Sequence, residues 1–273
     1  MYFAMDEIGI DNAVKIKTII SESDRRKFIN DTAKDYGFDG IHFTPSLYQT
    51  FNLDLENIPD YFHDFKLTFH LGSMYIVPDD KFDELNTKME NAFEIAQRHF
   101  MHDISIHPPY IHNLSAADKA LSLKFLSKFV DKWLNKMLDN NILLSLETHV
   151  AGEWFLFDGL NEFVAFTDQY PDLGVLIDVS HNYYEPQYSE EDMINLLSGK
   201  NVKCLHISDA LRNSEFENGT HLIIGDGEID FTKLLKGFMN IPDLYGVLEI
   251  KSSNDGIKSS LSALKKMVSG VRE

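Results

Sequence analysis

Groups that bind metal ions or move protons recur at one place in this sequence. His42, His70, His107, Glu147, Asp178, His206 and Glu249 stand at the ends of short β-rich runs, and His149, His181 and His221 lie in the turns just beyond. Seven of the 11 histidines belong to this set, whereas random placement would scatter them among helices and loops. Taken singly, each has an ordinary explanation. His42 or His149 reads as a satisfied polar residue at a strand end, and Glu153, Asp209 and Asp226 read as caps and turn residues. Taken together, several imidazoles and three carboxylates would converge on one rim. A buried carboxylate is costly unless it is paired or bound to metal. ILLSLE (142–147) and GVLEI (246–250) nevertheless each run an apolar segment into a lone glutamate. A divalent cation removes that cost directly.

The elements that must position these groups are strands alternating with helices. Runs at Tyr2–Met5, Gly40–Phe43, Leu67–His70, Ile104–His107, Ile142–Glu147, Val175–Asp178, Val202–His206 and Val247–Ile250 predict strands. Most read as continuously apolar, which suits strands covered on both faces. Helical patterns intervene at 24–36, 57–65, 81–99, 116–138, 160–170, 190–197, 231–239 and 254–268. In the longest, Leu121, Leu123, Phe125, Phe129, Trp133 and Met137 recur at near-helical spacing, and Ser115 with Asp118 suggests a capping box. Trp133 marks a contact face for a second copy, although core packing explains it equally well. Each run starts about 35 residues after the last, the size of a strand–helix unit with its loops. Eight such units predict an α/β protein with one closed (β/α)8 barrel, whose reactive groups gather at the C-terminal ends of the strands. The competing open sheet lacks its fingerprint, because Gly225-Asp-Gly227 has no third glycine and no GxxxxGK[ST] loop occurs. No linker or low-complexity tract divides the 273 residues, so a single domain over 1–273 is expected.

Composition narrows the partners. Lys and Arg number 25 against 43 Asp and Glu, a formal charge of −18. That excess repels phosphate backbones and anionic lipid, which makes nucleic acid an unfavourable partner. No stretch approaches the apolar length of a membrane span. The N-terminus shows no signal-peptide pattern, and the lone Cys204 favours a reducing compartment, so a cytoplasmic location is expected.

The motifs LSLETHVAG (144–152), LIDVSHNYY (176–184), CLHISDA (204–210), HLIIGDGEIDF (221–231) and GVLEIKSS (246–253), with FDGIHF, TFHLGSMY and SIHPPY upstream, carry a resemblance. The chain resembles the xylose isomerase-like barrel superfamily, which contains sugar isomerases and epimerases together with the endonuclease IV family. The resemblance implies a metal site at Glu147, Asp178, His206 and Glu249, suited to Mn²⁺, Co²⁺, Mg²⁺ or Zn²⁺. It implies a keto-sugar or polyol substrate and an isomerase or epimerase that moves the proton α to a carbonyl through a metal-stabilised enediolate. Glu147 and Glu249 would act as base and acid, and His181 would contact a substrate hydroxyl. Homodimers are common in such enzymes, an implication of the resemblance alone.

The rival implied by the same resemblance is a zinc phosphodiesterase of the endonuclease IV type, with up to three ions. Its second site would fall on His70 and His107 with Glu147 bridging. Its third would fall on His181, His221 and an aspartate two residues before the latter, where this chain has Gly219, with Glu217 nearby. The charge of −18 and the presence of only five arginines oppose a DNA substrate. A keto-polyol dehydratase on the same metal is a further alternative. A purely structural metal is a non-enzymatic one, opposed by the carboxylate-rich ligand set. For substrate binding the expected residues are Arg212, Lys251 and Trp154. The rim aromatics Phe43, Tyr75, Tyr110, Tyr183 and Tyr184 could stack on sugar faces or pack the loops. The sparse basic residues lean toward an unphosphorylated sugar.

Overall fold

A computed structural model describes residues 1–6, 22–44, 58–71, 82–109, 116–150, 155–251 and 254–271. Eight parallel strands close into a barrel in sequence order, with the last paired back to the first. They are β1 (Tyr2–Asp6), β2 (Gly40–Phe43), β3 (Lys66–His70), β4 (Asp103–Ile106), β5 (Leu143–Glu147), β6 (Gly174–Asp178), β7 (Val202–Ile207) and β8 (Tyr245–Leu248). The helices among the described residues are α1 (Glu22–Tyr36), α2 (Phe82–Arg98), α3 (Ala116–Leu138), α4 (Leu160–Thr167), α5 (Val179–Tyr184), α6 (Glu190–Leu197), α7 (Phe216–Gly219), α8 (Phe231–Phe238) and α9 (Asn254–Val271). The helix expected at 57–65 is a 3-10 turn, Asp60–Asp64, opened by Pro59, which donates no backbone hydrogen bond. No described helix is long and apolar enough to cross a membrane.

The strands correct one expectation. They are not continuously apolar; in half of the barrel they alternate strictly. Ile41 and Phe43, Leu67 and Phe69, Ile104 and Ile106, Leu144 and Leu146 all enter the main core beneath the helices. The pleat turns their neighbours to the lumen. Those neighbours are His42, Thr68 and His70, Asp103, Ser105, Ser145 and Glu147, all buried. The contact of the Tyr245 hydroxyl with Asp103 crosses the lumen from β8 to β4. Only a small inner cluster, Ala4, Leu176, Cys204, Tyr245 and Val247, is apolar. The lumen is therefore a polar column, with Asp103 at its N-terminal end and Glu147 and the imidazoles of His42 and His70 toward the C-terminal rim.

Two further expectations change. β8 runs two residues earlier than the apolar pattern GVLEI suggests, because Tyr245 pairs with both Tyr2 and Cys204. Glu249 therefore lies just past the strand rather than inside it, held by its N–H to the Ile207 carbonyl at 3.2 Å. Trp133 offers no contact face. It is fully buried and donates its indole N–H to Asn86 Oδ1 at 2.9 Å, so its spacing reports core packing. The cap expected at Ser115 lies outside the described residues.

Candidate metal centre

Four residues meet at the rim. Glu147 ends β5, Asp178 ends β6, His206 lies in β7 and Glu249 follows β8, and one ligand atom from each lies within 4.8 Å of every other. His206 Nδ1 stands between the two glutamates, 3.1 Å from Glu147 Oε1 and 3.0 Å from Glu249 Oε2. Glu147, Asp178 and His206 are almost fully buried, while the Glu249 side chain keeps 26% of its surface open toward the mouth.

Asp178 shows how the local sequence sets the geometry. Its Oδ1 caps α5, accepting from the His181 N–H at 2.8 Å and the Ser180 hydroxyl at 3.0 Å. Its Oδ2 is buried without a hydrogen bond of good geometry, although His181 Nδ1 lies 3.2 Å away. Thr148 locks the other side, accepting from the Asp178 N–H at 2.9 Å and from Asn182 Nδ2 at 2.5 Å. Sequence reasoning missed Thr148, Ser180 and Asn182. The pattern Asp-Val-Ser-His was the available signal, an N-cap aspartate opening a short helix directly from a strand.

A second group shares Glu147. His107 Nε2 lies 2.8 Å and His70 Nε2 3.4 Å from Glu147 Oε2. The two imidazoles are 3.0 Å apart, and with Glu147 they form another potential ligand set. His181 and His221 form a third pair, Nε2 to Nε2 at 3.1 Å. His149 lies between these sets, with ring centroids 5.4 Å from His107 and 4.9 Å from His181.

Electrostatics show what the site favours. Burial works against charge on His206, but Glu147 and then Glu249 outweigh it and hold its imidazole well above the ordinary range. Burial would push the Glu147 carboxyl up, yet His107 and His206 hold it well below the usual carboxylate range. Glu249 behaves alike, held down by His206 and His221 against the burial that raises it. Asp178 is pushed up to about 6 by burial, with Glu249 adding to the rise. Three clustered carboxylates thus demand positive charge. Glu147 Oε2, Asp178 Oδ2 and His206 Nδ1 are all buried without a hydrogen-bond partner of good geometry. Buried donor atoms of mixed oxygen and nitrogen type, brought within 4.8 Å of one another at the ends of four strands, fit a divalent cation.

The other expected residues divide. Arg212 donates from Nε to the Tyr183 carbonyl at 3.1 Å and from its terminal nitrogen to the Tyr188 carbonyl, and it covers the Tyr183 ring at 4.0 Å. These contacts tie α5 to the chain before α6. Lys251 has an exposed side chain, while its N–H donates to the His221 carbonyl at 2.9 Å. Trp154, Tyr75 and Tyr110 lie outside the described residues. Phe43 faces the outer core against Phe62, and Tyr183 lies buried under Arg212, so neither opens to the mouth. Phe216 does reach this rim, 5.2 Å from the His181 ring, and Phe155 stacks on His149 at 3.9 Å. At Gly219 an added Cβ would lie 1.9 Å from Ser214 Oγ and 2.8 Å from the Leu211 carbonyl, so the position has no room for a carboxylate.

Comparisons with known proteins agree with this architecture. A comparison with curated proteins returned no significant match. Among solved structures, a D-tagatose 3-epimerase-like protein superposes with a TM-score of 0.72 at 17% identity, covering 100% of this chain and 98% of its own. A D-psicose 3-epimerase determined in the presence of D-fructose gives 0.73 at 14%, covering 98% and 99%. The IolI protein with a bound zinc atom gives 0.71 at 15%, covering 99% and 98%. At these identities the likeness speaks for the fold. The family model of the xylose isomerase-like TIM barrel matches residues 31–267, and the chain belongs to that family.

Proposed function

We propose that this protein is a divalent-metal-dependent isomerase or epimerase of keto-sugars or polyols. The observation that carries the reading is the placement of Glu147 and Glu249 on either side of one imidazole nitrogen, one carboxylate buried and the other open to the mouth. Glu147, Asp178, His206 and Glu249 would hold the ion. Once bound, it supplies a Lewis acid for neighbouring carbonyl and hydroxyl oxygens. The protein's own groups handle the proton. One glutamate removes it from the carbon α to the carbonyl, and the other returns it to the adjacent position or the opposite face. Asp178 is fixed by its capping bonds and holds its geometry while the glutamates exchange protons. Arg212 is committed to two carbonyls, which removes the most obvious phosphate clamp and supports an unphosphorylated substrate.

The test is exchange of the α-proton with deuterated solvent across a panel of keto-sugars with added Mn²⁺, followed by NMR. Glu147→Gln and Glu249→Gln should each slow exchange by about 10²-fold or more. Exchange at the wild-type rate in both variants would end the acid–base assignment.

One observation favours a second reading. His70, His107 and Glu147 form another ligand set that shares a carboxylate with the first. Two ions bridged by Glu147 would suit phosphodiester hydrolysis of the endonuclease IV type. Cleavage of a chromogenic phosphodiester in Zn²⁺, absent in His107→Gln, would move this reading to first place.

A further inference from the structure

We infer that His42, which belongs to none of the ligand sets, is a positioning residue for His206, and that Thr68, His42 and His206 form a hydrogen-bonded chain whose direction sets the tautomer an ion requires. The role rests on the reading of Glu147, Asp178, His206 and Glu249 as the ion's ligands.

The argument follows the protons. His206 presents Nδ1 to the two glutamates. A metal-ligating nitrogen must offer a lone pair, so the ring proton of a bound His206 sits on Nε2. That nitrogen lies 3.4 Å from His42 Nε2, with the two rings nearly perpendicular. His42 Nε2 must then accept, which places the His42 proton on Nδ1, 2.7 Å from Thr68 Oγ1. Every link is buried: Thr68, His42 and His206 are at most 2% exposed, so solvent offers no substitute partner.

The chain can also run the other way. The Thr68 hydroxyl then donates to His42 Nδ1, His42 donates from Nε2 to His206 Nε2, and His206 turns an Nδ1–H on the glutamates. That direction satisfies the carboxylates and excludes an ion. Metal-ligating histidines usually pass their second N–H to a carboxylate or carbonyl, which can only accept. An imidazole acceptor backed by a hydroxyl can run either way, and a bound ion selects the direction in which His206 carries its proton on Nε2.

Two measurements test this on the intact protein. In the Zn²⁺-loaded, ¹⁵N-labelled chain, two-bond ¹H–¹⁵N correlations should show His42 protonated on Nδ1 and His206 on Nε2. A proton on His42 Nε2 would overturn the proposal. In chelator competition, His42→Phe should bind Zn²⁺ about 10- to 100-fold more weakly. His42→Gln, whose amide oxygen can accept, should recover most of that loss. His63→Ala, a change at the opposite mouth, should match the wild type. A wild-type chain that binds no Zn²⁺, or His206→Ala that binds as tightly as wild type, would refute the metal centre itself. Full affinity in His42→Phe alongside lost affinity in His206→Ala would refute only the role of His42. Should His42→Phe fail to fold, His42→Gln and the wild-type tautomer decide.

Discussion

His70 Nδ1 lies 2.9 Å from Ser105 Oγ, whose own hydroxyl reaches the Phe69 carbonyl at 3.4 Å. With that hydroxyl on the carbonyl, Oγ accepts from Nδ1 and His70 Nε2 offers a lone pair to His107, 3.0 Å away. A proton on His107 Nε2 can satisfy both neighbours, in keeping with Glu147 raising the His107 pKa against its burial. The isomerase reading accordingly expects one tight metal equivalent per chain, retained in His107→Gln. Titration followed by elemental analysis checks this. A second tight Zn²⁺ equivalent that vanishes in His107→Gln would favour the hydrolase.

At the other end of the lumen Asp103 accepts from Ser145 Oγ at 2.7 Å and from the Tyr245 hydroxyl. Burial raises its carboxyl and those two hydrogen bonds lower it, and the balance leaves it at about 6. The folded chain therefore holds this proton more tightly than the unfolded chain. The group's contribution to stability is full below about 4, falls as pH rises to about 6, and is flat above. By about 1.4 kcal/mol per unit, the difference is roughly 3 kcal/mol. Asp103→Asn should therefore gain in stability over wild type above pH 6 and lose that gain near pH 4. Denaturant unfolding of both proteins at several pH values reads it as a difference, which cancels the opposing carboxylates at the rim.

Much of this was legible because strand ends announce themselves. Glu147, Asp178 and His206 each close an apolar run, and a closed parallel barrel must bring such ends to one rim. Glu249 reaches the rim although its strand was placed two residues too late, since the rim lies within reach from either register. The polar lumen was less legible. Asp103, Ser105 and Ser145 are small or single polar residues among Ile and Leu, and a run-based reading absorbs them into an apolar strand. His42 looked like an isolated strand-end histidine because its partners, Thr68 and His206, come from other strands. Trp133 looked like a surface aromatic because one helix cannot show which face its neighbours cover.

Gly219 stands where a third ion's carboxylate would be expected by resemblance. Its carbonyl accepts from the Leu211 N–H at 2.8 Å, and the space for a side chain is filled by Ser214 and the Leu211 carbonyl. Gly219→Asp should thus add no metal equivalent beside His181 and His221. It should instead destabilise the fold by about 1–3 kcal/mol, the usual cost of overpacking. Metal content and thermal melting of the variant check both halves. A gained Zn²⁺ equivalent at unchanged melting temperature would refute the steric account.

Asp209 organises the loop that follows β7. Its Oδ1 accepts from the Ala210 N–H at 2.9 Å and the Ile229 N–H at 3.1 Å, and its Oδ2 from the Gly225 N–H at 2.8 Å. Gly225 has a φ of 100°, outside the range of ordinary side chains. Gly227 passes so close that a Cβ would lie 2.3 Å from Asp209 Oδ1 and 2.6 Å from the Ala210 backbone. This packing, with the Asp209–Leu222 bridge, ties the segment after His206 to the segment after His221, so it helps to set where the His221 imidazole stands. Asp209→Ala leaves three backbone N–H groups without their acceptor, at about 1–3 kcal/mol for each that stays buried. Gly227→Ala must move backbone, whereas Gly199→Ala meets nothing within 4 Å. Melting temperatures should fall by several degrees in Asp209→Ala and Gly227→Ala and hold in Gly199→Ala. Hydrogen exchange should locate the loss of protection at residues 222–230. Equal melting of all three variants would show that this loop is held by something other than Asp209.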